Sequence, residues 1–456
     1  MTASKWIAGA SAVLAAIVYF LPDPEGTTGL MVVAAVVILT IGLLSTAVLP
    51  EYLTALIFFF LSVVVAGVAP NVVFSGFFSG AVWLVFGGLI LGVAIVSTGL
   101  AARIAGSLET TFAGSYARII TGTVLLMVGL SFVMPSSIGR IMIMLPIVLA
   151  YADRLGFAED SRGRSGLILA TAMASLNPTF AVLPASVPNV ALAGAAEAIH
   201  GIQFSYGSYL LLHFPVIGLV STVILPIFIV LLFPDKVPPA EHRAPAGPLS
   251  SAERRLLGVL FISLVLWATD RLHGISPAWV ALGAGIFCAL PGTGILSREP
   301  LLKRMDLSPL IFLAGVIGLG AVVAHSGIGK ILANHLISIL NLGSGSGFQT
   351  FAAVVGLGTA LELVTTLPGQ PAIMTSFADT IAQATGWPLL TVLMTQVSAW
   401  ALIMFPYQAP PLITARALSG MPVRVFLRLM IPMAIFGWVV MLPLQYVWWR
   451  YLGYLP

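Results

Sequence analysis

Charge is what this chain has least of. Only 8% of its 456 residues are Asp, Glu, Lys or Arg, where a soluble domain carries about 25%. So few charges cannot clothe a water-facing surface, which excludes an ordinary soluble globular protein. Cysteine is almost missing as well: Cys288 alone allows no disulfide within the chain and no thiolate-clustered metal site. The histidines (200, 213, 242, 273, 325 and 335) show no HxxxH or HExxH spacing, so no metal centre is expected. GxSxG, P-loop and strand-flanked GxGxxG motifs are absent, and no nucleotide-binding domain is long enough to be hidden in a linker. An enzyme is not expected, and neither is an ATP-driven pump. The net charge of +4 is scattered over connecting segments without a dense stripe, so nucleic acid is not an expected partner.

What the chain does have is apolar length. Its residues are 59% hydrophobic, the mean hydropathy is +1.07, and runs of about 18 apolar residues recur along it. A β-barrel would instead show weaker alternating segments of about ten residues. The expectation is an all-α polytopic membrane protein, with the lipid bilayer as its surroundings and the plasma (inner) membrane as its place. The first run, Trp6 to Leu21, has Lys5 beside it but no small-residue cleavage site before LPDPEG, and reads as a retained helix.

Several runs are interrupted where a plain span would not be. The run 118–134 breaks at PSSIGR and resumes to 152; Ser165–Val182 breaks at LPASVPN. Non-helical backbone at membrane depth is tolerated only where protein or a cavity surrounds it, so the first break predicts a re-entrant hairpin. The second half answers the first in order. TGLAARIA (98–105) matches SGIGKILA (326–333), PSSIGRIM (135–142) matches LPGQPAIM (367–374), and LPASVPNV (183–190) matches FPYQAPPL (405–412), at offsets of 228, 232 and 222 residues. Paired, Pro/Gly-interrupted spans in two halves point to a secondary transporter with its site at the repeat interface.

The expected organisation is an N-terminal helix at 1–28 and a first inverted repeat at 29–233. That repeat comprises scaffold spans 29–99, a hairpin at 116–155, a broken helix at 165–200 and a span at 206–233. A Pro- and Ala-rich linker follows at 234–255. The second repeat, 256–456, holds a hairpin at 347–386, a broken helix at 388–420 and a final span at 424–450. This makes about eleven transmembrane helices plus two hairpins. Lys236, Arg243, Arg254 and Arg255 in the linker, and Arg298, Lys303 and Arg304 further on, put those loops in the cytoplasm. The N-terminus is then cytoplasmic and the C-terminus external.

Broken helices supply free N–H donors and a positive dipole end, which suit an anion, while unwound carbonyls suit a coupling cation. The candidate substrate-binding residues are Ser136, Ser137, Gly139 and Arg140 at one tip, and Thr365, Thr366, Pro368, Gly369 and Gln370 at the other. Pro188, Asn189, Tyr407 and Gln408 join them from the helix breaks. Candidate Na⁺ positions are Ser136, Ser137, Ser186, Thr366, Gly369 and Ala409. Asn189 can equally cap its half-helix. Arg140 has three readings: contact with the anion, an ion pair with Glu362 or Asp379, or snorkelling to the interface. Arg416 reads as reaching an interface, and Asp270 and Arg271 as interfacial.

The stretches SGFFSGAVWLVFGGLILGVAIVSTGLAARIA (75–105), LPASVPNVALAGAAEAIHGIQFSYGSYL (183–210), LWATDRLHGISPAWVAL (266–282) and FPYQAPPLITARALSGMPVRVFLRL (405–429) resemble the divalent anion/sodium symporter family of the wider ion transporter superfamily. The resemblance covers nearly the whole chain. It implies eleven spans, two opposed hairpins, inverted repeats, a homodimer, and a small anionic substrate such as a dicarboxylate or sulfate, usually moved with Na⁺. The family's Ser-Asn-Thr tip motif falls on Ser136, Ser137 and Ile138, and around Leu367, Pro368 and Gly369. Its Thr-Pro-Pro-Asn break becomes Ser186-Val187-Pro188-Asn189 and Ala409-Pro410-Pro411-Leu412. Because the tip motifs are not preserved, Arg140 could replace one Na⁺, making the protein an exchanger or uniporter. Another antiporter of the superfamily is the remaining alternative, and intramembrane carboxylates are scarce for a proton antiporter.

Overall fold

The computed structural model describes residues 3–24, 27–46, 48–101, 103–104, 112, 114–134, 136–237, 248–296, 301–340, 342 and 347–456. Pro135, much of the 99–118 stretch, the linker centre and the start of the 297–306 loop lie outside those residues. All regular structure among the described residues is helical. The reason is chemical: apolar side chains line every face of these segments, and a helix satisfies its own backbone where water cannot.

The principal helices of the first half are α1 (Ala3–Tyr19), α2 (Leu30–Thr46), α3 (Glu51–Val64), α4 (Gly80–Ser97), α5 (Tyr116–Ser131), α6 (Ser137–Arg154), α7 (Arg162–Ala174), α8 (Val187–His200) and α9 (Tyr206–Leu232). Those of the second are α10 (Ser251–Ala268), α11 (Pro277–Ala289), α12 (Ser308–His325), α13 (Ile328–Leu340), α14 (Gly347–Ser376), α15 (Leu389–Trp400), α16 (Pro410–Ser419) and α17 (Val423–Tyr451). Five of them (α4, α9, α12, α14 and α17) are long and apolar enough to cross a bilayer, and the shorter apolar helices run 10–17 residues. The last helix of each half carries a π-helical turn, Phe214–Gly218 in α9 and Gly437–Met441 in α17.

The two halves trade contacts at small residues. A Cβ on Gly87 of α4 would lie 2.4 Å from the carbonyl carbon of Ala281 in α11. A Cβ on Gly315 of α12 would lie 2.5 Å from that of Ala55 in α3. Gly87 and Gly315 stand 228 residues apart, the same offset as the first matched pair of segments. Small residues at these crossings let the backbones touch, which is how helices bind each other where burial of oily surface gives no drive. The outer faces keep large apolar side chains exposed, such as Leu231, Phe261 and Val439, as a lipid-facing surface requires.

Two charged residues tie helices together. Asp270 is buried against the protein: its carboxylate accepts from Ser205 Oγ (3.0 Å) and the Tyr206 amide (2.5 Å), holding the start of α9. Arg103 Nε donates to Glu253 Oε1 at 2.6 Å, joining the segment after α4 to the first turn of α10. Arg416 is exposed.

Candidate functional site

The first interruption follows from residues that cap helices. After α5 ends, Ser136 is extended and its Oγ accepts from the Gly139 amide (3.0 Å), starting α6. Helix α7 gives way to two short turns, Pro178–Ala181 and Leu183–Ala185, before Ser186 leads into α8. Such a break leaves carbonyls without helical partners, and Arg140 collects them. Its guanidinium donates to Met134 O (2.5 Å), Ala185 O (3.0 Å) and Ser175 O (2.9 Å), and to the hydroxyls of Ser137 (3.1 Å) and Thr179 (3.2 Å). It is wholly buried. Neither Glu362 nor Asp379 is among its partners. Asn189 Nδ2 serves the same purpose, donating to Phe180 O (3.1 Å) and Val182 O (2.8 Å), while its Oδ1 is buried without a partner.

The second interruption has the same outline and different chemistry. Within α14 the helix breaks at Thr366, whose φ of 65° makes it the one non-glycine residue with positive φ among the described residues. Trp400 Nε1 donates to Gln370 Oε1 (3.0 Å), bracing the restarted helix against the end of α15. Gln408 Oε1 accepts from the amides of Met404 (2.9 Å) and Phe405 (2.8 Å) in the second break. Tyr407 is half-exposed, and its hydroxyl donates to Leu363 O at 3.0 Å.

These four restarts meet. One cavity is lined by Ser137 and Ile138, by Ser186 to Pro188, by Leu367 and Pro368, and by Pro410 and Pro411. Each pair or triplet lies at the first turn of its helix, so four positive helix ends face one space. At about 30 Å³ the space is water-sized in this conformation. Of the sequence-chosen residues, Ser137, Ser186, Pro188 and Pro368 line it. Ser136 and Gly139 instead line a separate cavity of about 270 Å³ between α4 and α6, which reaches Asp306. Arg140, Asn189, Gln370 and Gln408 are buried and bonded to the interruptions themselves. Thr365, Thr366, Gly369 and Ala409 are buried beside the breaks and absent from both linings.

Glu51, Leu176 and Phe312 line the cavity and escaped the sequence reading; Glu51 is the ionisable one. Glu51, first residue of α3, shares the cavity with the four helix starts. In sequence it looks like the entry to a plain span after Leu49 and Pro50, and only an acid directly after a proline could have drawn notice. Glu362, one turn before Thr366, is wholly buried, and neither of its oxygens has a partner among the described residues.

A sequence model described as the sodium:sulfate symporter transmembrane region matches residues 3–455. The chain belongs to this family of divalent anion/sodium symporters. Among curated proteins, this family member is 24% identical to a Cupriavidus necator "Membrane protein" over 85% of the chain and 78% of that protein. It is 28% identical to the inner membrane protein YbhI of Escherichia coli over 68% of each. With the Escherichia coli L-tartrate/succinate antiporter it shares 29% identity over 58% of the chain and 57% of that protein. Its fold is similar to that of the Neisseria gonorrhoeae MtrF pump (TM-score 0.53, 15% identity, 98% of this chain and 94% of that one). The Alcanivorax borkumensis YdaH transporter is also similar (TM-score 0.51, 16% identity, 83% and 86%). The family's members are membrane transporters, not enzymes.

Proposed function

We propose that this protein is a secondary active transporter of small organic or inorganic anions, of the dicarboxylate or sulfate/sulfonate type, working by alternating access around the four-helix-end cavity. The observation that carries this reading is the convergence of those four helix N-termini. Each brings a partial positive charge, and the starts at Ser137 and Val187 add backbone N–H groups with no helical acceptor, whereas Pro410 and Pro411 leave the α16 end its dipole without first-turn donors; together these favour an anion without a cation in the wall. Similarity to an L-tartrate/succinate antiporter supports the dicarboxylate class.

In this reading the halves are inverted repeats, each inserting a re-entrant hairpin (116–155 and 347–386) and a broken helix. About eleven spans cross the inner membrane, with the N-terminus cytoplasmic and two protomers paired through their scaffold spans. The reciprocal contacts of Gly87 with Ala281 and Gly315 with Ala55 support the repeat. The coupling ion is Na⁺, carried with the anion near the two tips. Ser186 Oγ, buried and without a partner, is the best-placed of the candidate Na⁺ ligands.

Exchange is the second reading, favoured by the loss of the tip motifs. Arg140 spends both terminal nitrogens of its guanidinium on the interruption, and its buried Nε–H, without a partner, is the donor left to take the part of a Na⁺. Uptake of labelled succinate, tartrate and sulfate into proteoliposomes separates these. Accumulation driven by an inward Na⁺ gradient is expected; uptake only against internal substrate establishes exchange, and uptake of none of the three ends the anion reading.

A further inference from the structure

Four helix ends make the cavity attractive to negative charge, yet its one ionisable lining residue is an acid. Glu51 lies at the first turn of α3, and no described residue donates to its carboxylate. No charged or titratable side chain answers it across the cavity: the other lining residues are serines, prolines and apolar side chains. A bare dianion filling this space would bring its own carboxylate towards Glu51, with repulsion and nothing gained. A ligand with a hydroxyl or ammonium beside its acid group would meet the helix ends with its charge and Glu51 with its donor.

Resting on the anion-transporter reading, we propose that Glu51 is a specificity residue that selects acids carrying a hydrogen-bond donor, a hydroxy or amino acid anion, over unsubstituted diacids of the same length. Glu51 is partly buried, and an acceptor that loses water on ligand binding and is left unpaired disfavours the analogue that lacks the donor. Glu51 also explains how a wall of helix ends can tell one small acid from another, since dipoles alone read only charge.

Succinate, L-malate and L-aspartate share one skeleton and differ at a single carbon, bearing hydrogen, hydroxyl or ammonium. Thermal stabilisation of the purified full-length protein, and counterflow in proteoliposomes with equal Na⁺ on both sides, would rank them. The wild type is expected to bind L-malate or L-aspartate at least about tenfold more tightly than succinate. Glu51→Gln should bring the ratio to within about threefold, by gain for succinate as well as loss for the others. Glu51→Asp, which keeps the carboxylate, should keep the preference and serves if the glutamine variant does not fold. Succinate bound as well as malate and aspartate by the wild type, or a ratio unchanged in Glu51→Gln, overturns the assignment of Glu51 alone. No response to any of the three or to sulfate overturns the anion reading with it.

Discussion

The two interruptions of this bundle have one shape and two chemistries. In the first half a single guanidinium holds the break together: Arg140 gathers three backbone carbonyls and two hydroxyls from the segment between α5 and α6, the start of α6, the end of α7 and the two turns before α8. In the second half no charge is used. Gln370, Trp400 and Gln408 brace the corresponding places with neutral amide and indole hydrogen bonds. The difference shows what a broken helix needs in a membrane. Breaking a helix frees carbonyls on one side and N–H groups on the other, and the carbonyls must be satisfied by protein if the N–H groups are to stay open for a ligand. In the first half a cation does this with one side chain; in the second, Gln408 caps amides, Gln370 takes the Trp400 indole, and Tyr407 reaches the Leu363 carbonyl. Charge at membrane depth is therefore not by itself a sign of ligand contact.

The comparison can be broken most sharply at Arg140. Arg140→Gln removes the donors to three buried carbonyls, at roughly 1–3 kcal/mol for each unsatisfied group. The variant should lose its cooperative thermal transition in detergent or melt far below the wild type. Arg140→Lys should recover only part, because an ammonium lacks the guanidinium's planar fork. A melting point unchanged in Arg140→Gln would end the idea that the cation is the first half's bolt.

Gln408→Ala takes the acceptor from two backbone amides and Asn189→Ala the donor from the carbonyls of the first break. Each should lower stability by about 1–3 kcal/mol, visible as a shifted melting midpoint. If both act alike, the halves differ only in Arg140. Thr366→Gly should act in the opposite direction. A β-branched residue at positive φ carries about 1–2 kcal/mol of strain that glycine relieves, so the midpoint should rise. Reduced uptake in that more stable variant would mark the strained tip as functional. Tyr407→Phe, which loses one half-exposed hydrogen bond to Leu363 O, should move stability by less than about 1 kcal/mol.

Much of this was legible beforehand. The helical membrane class follows from the scarcity of charge, and the interruptions from Pro, Gly and Ser at matched places in the two halves. The helix breaks at Ser136 and Thr366 fall inside the interrupted stretches, because Pro, Gly and capping Ser have local signatures. What the side chains do there was not legible. Arg140 was a candidate for the anion, and Gln370 and Gln408 for the lining; all three proved to be bonded to the protein's own backbone and neighbouring side chains. Glu51 lies 85 residues before the nearest tip residue in the chain, so no local pattern could bring it to the cavity.

By itself, then, the sequence determined that this is a helical membrane protein of the divalent anion/sodium symporter family, and where its helices break. Those properties depend on composition, periodicity and short-range backbone preference. The tertiary structure decided which donors remain open. Whether a guanidinium, an amide or a helix end faces a ligand depends on which carbonyls lie within about 3 Å of it, and those come from segments far apart in the chain.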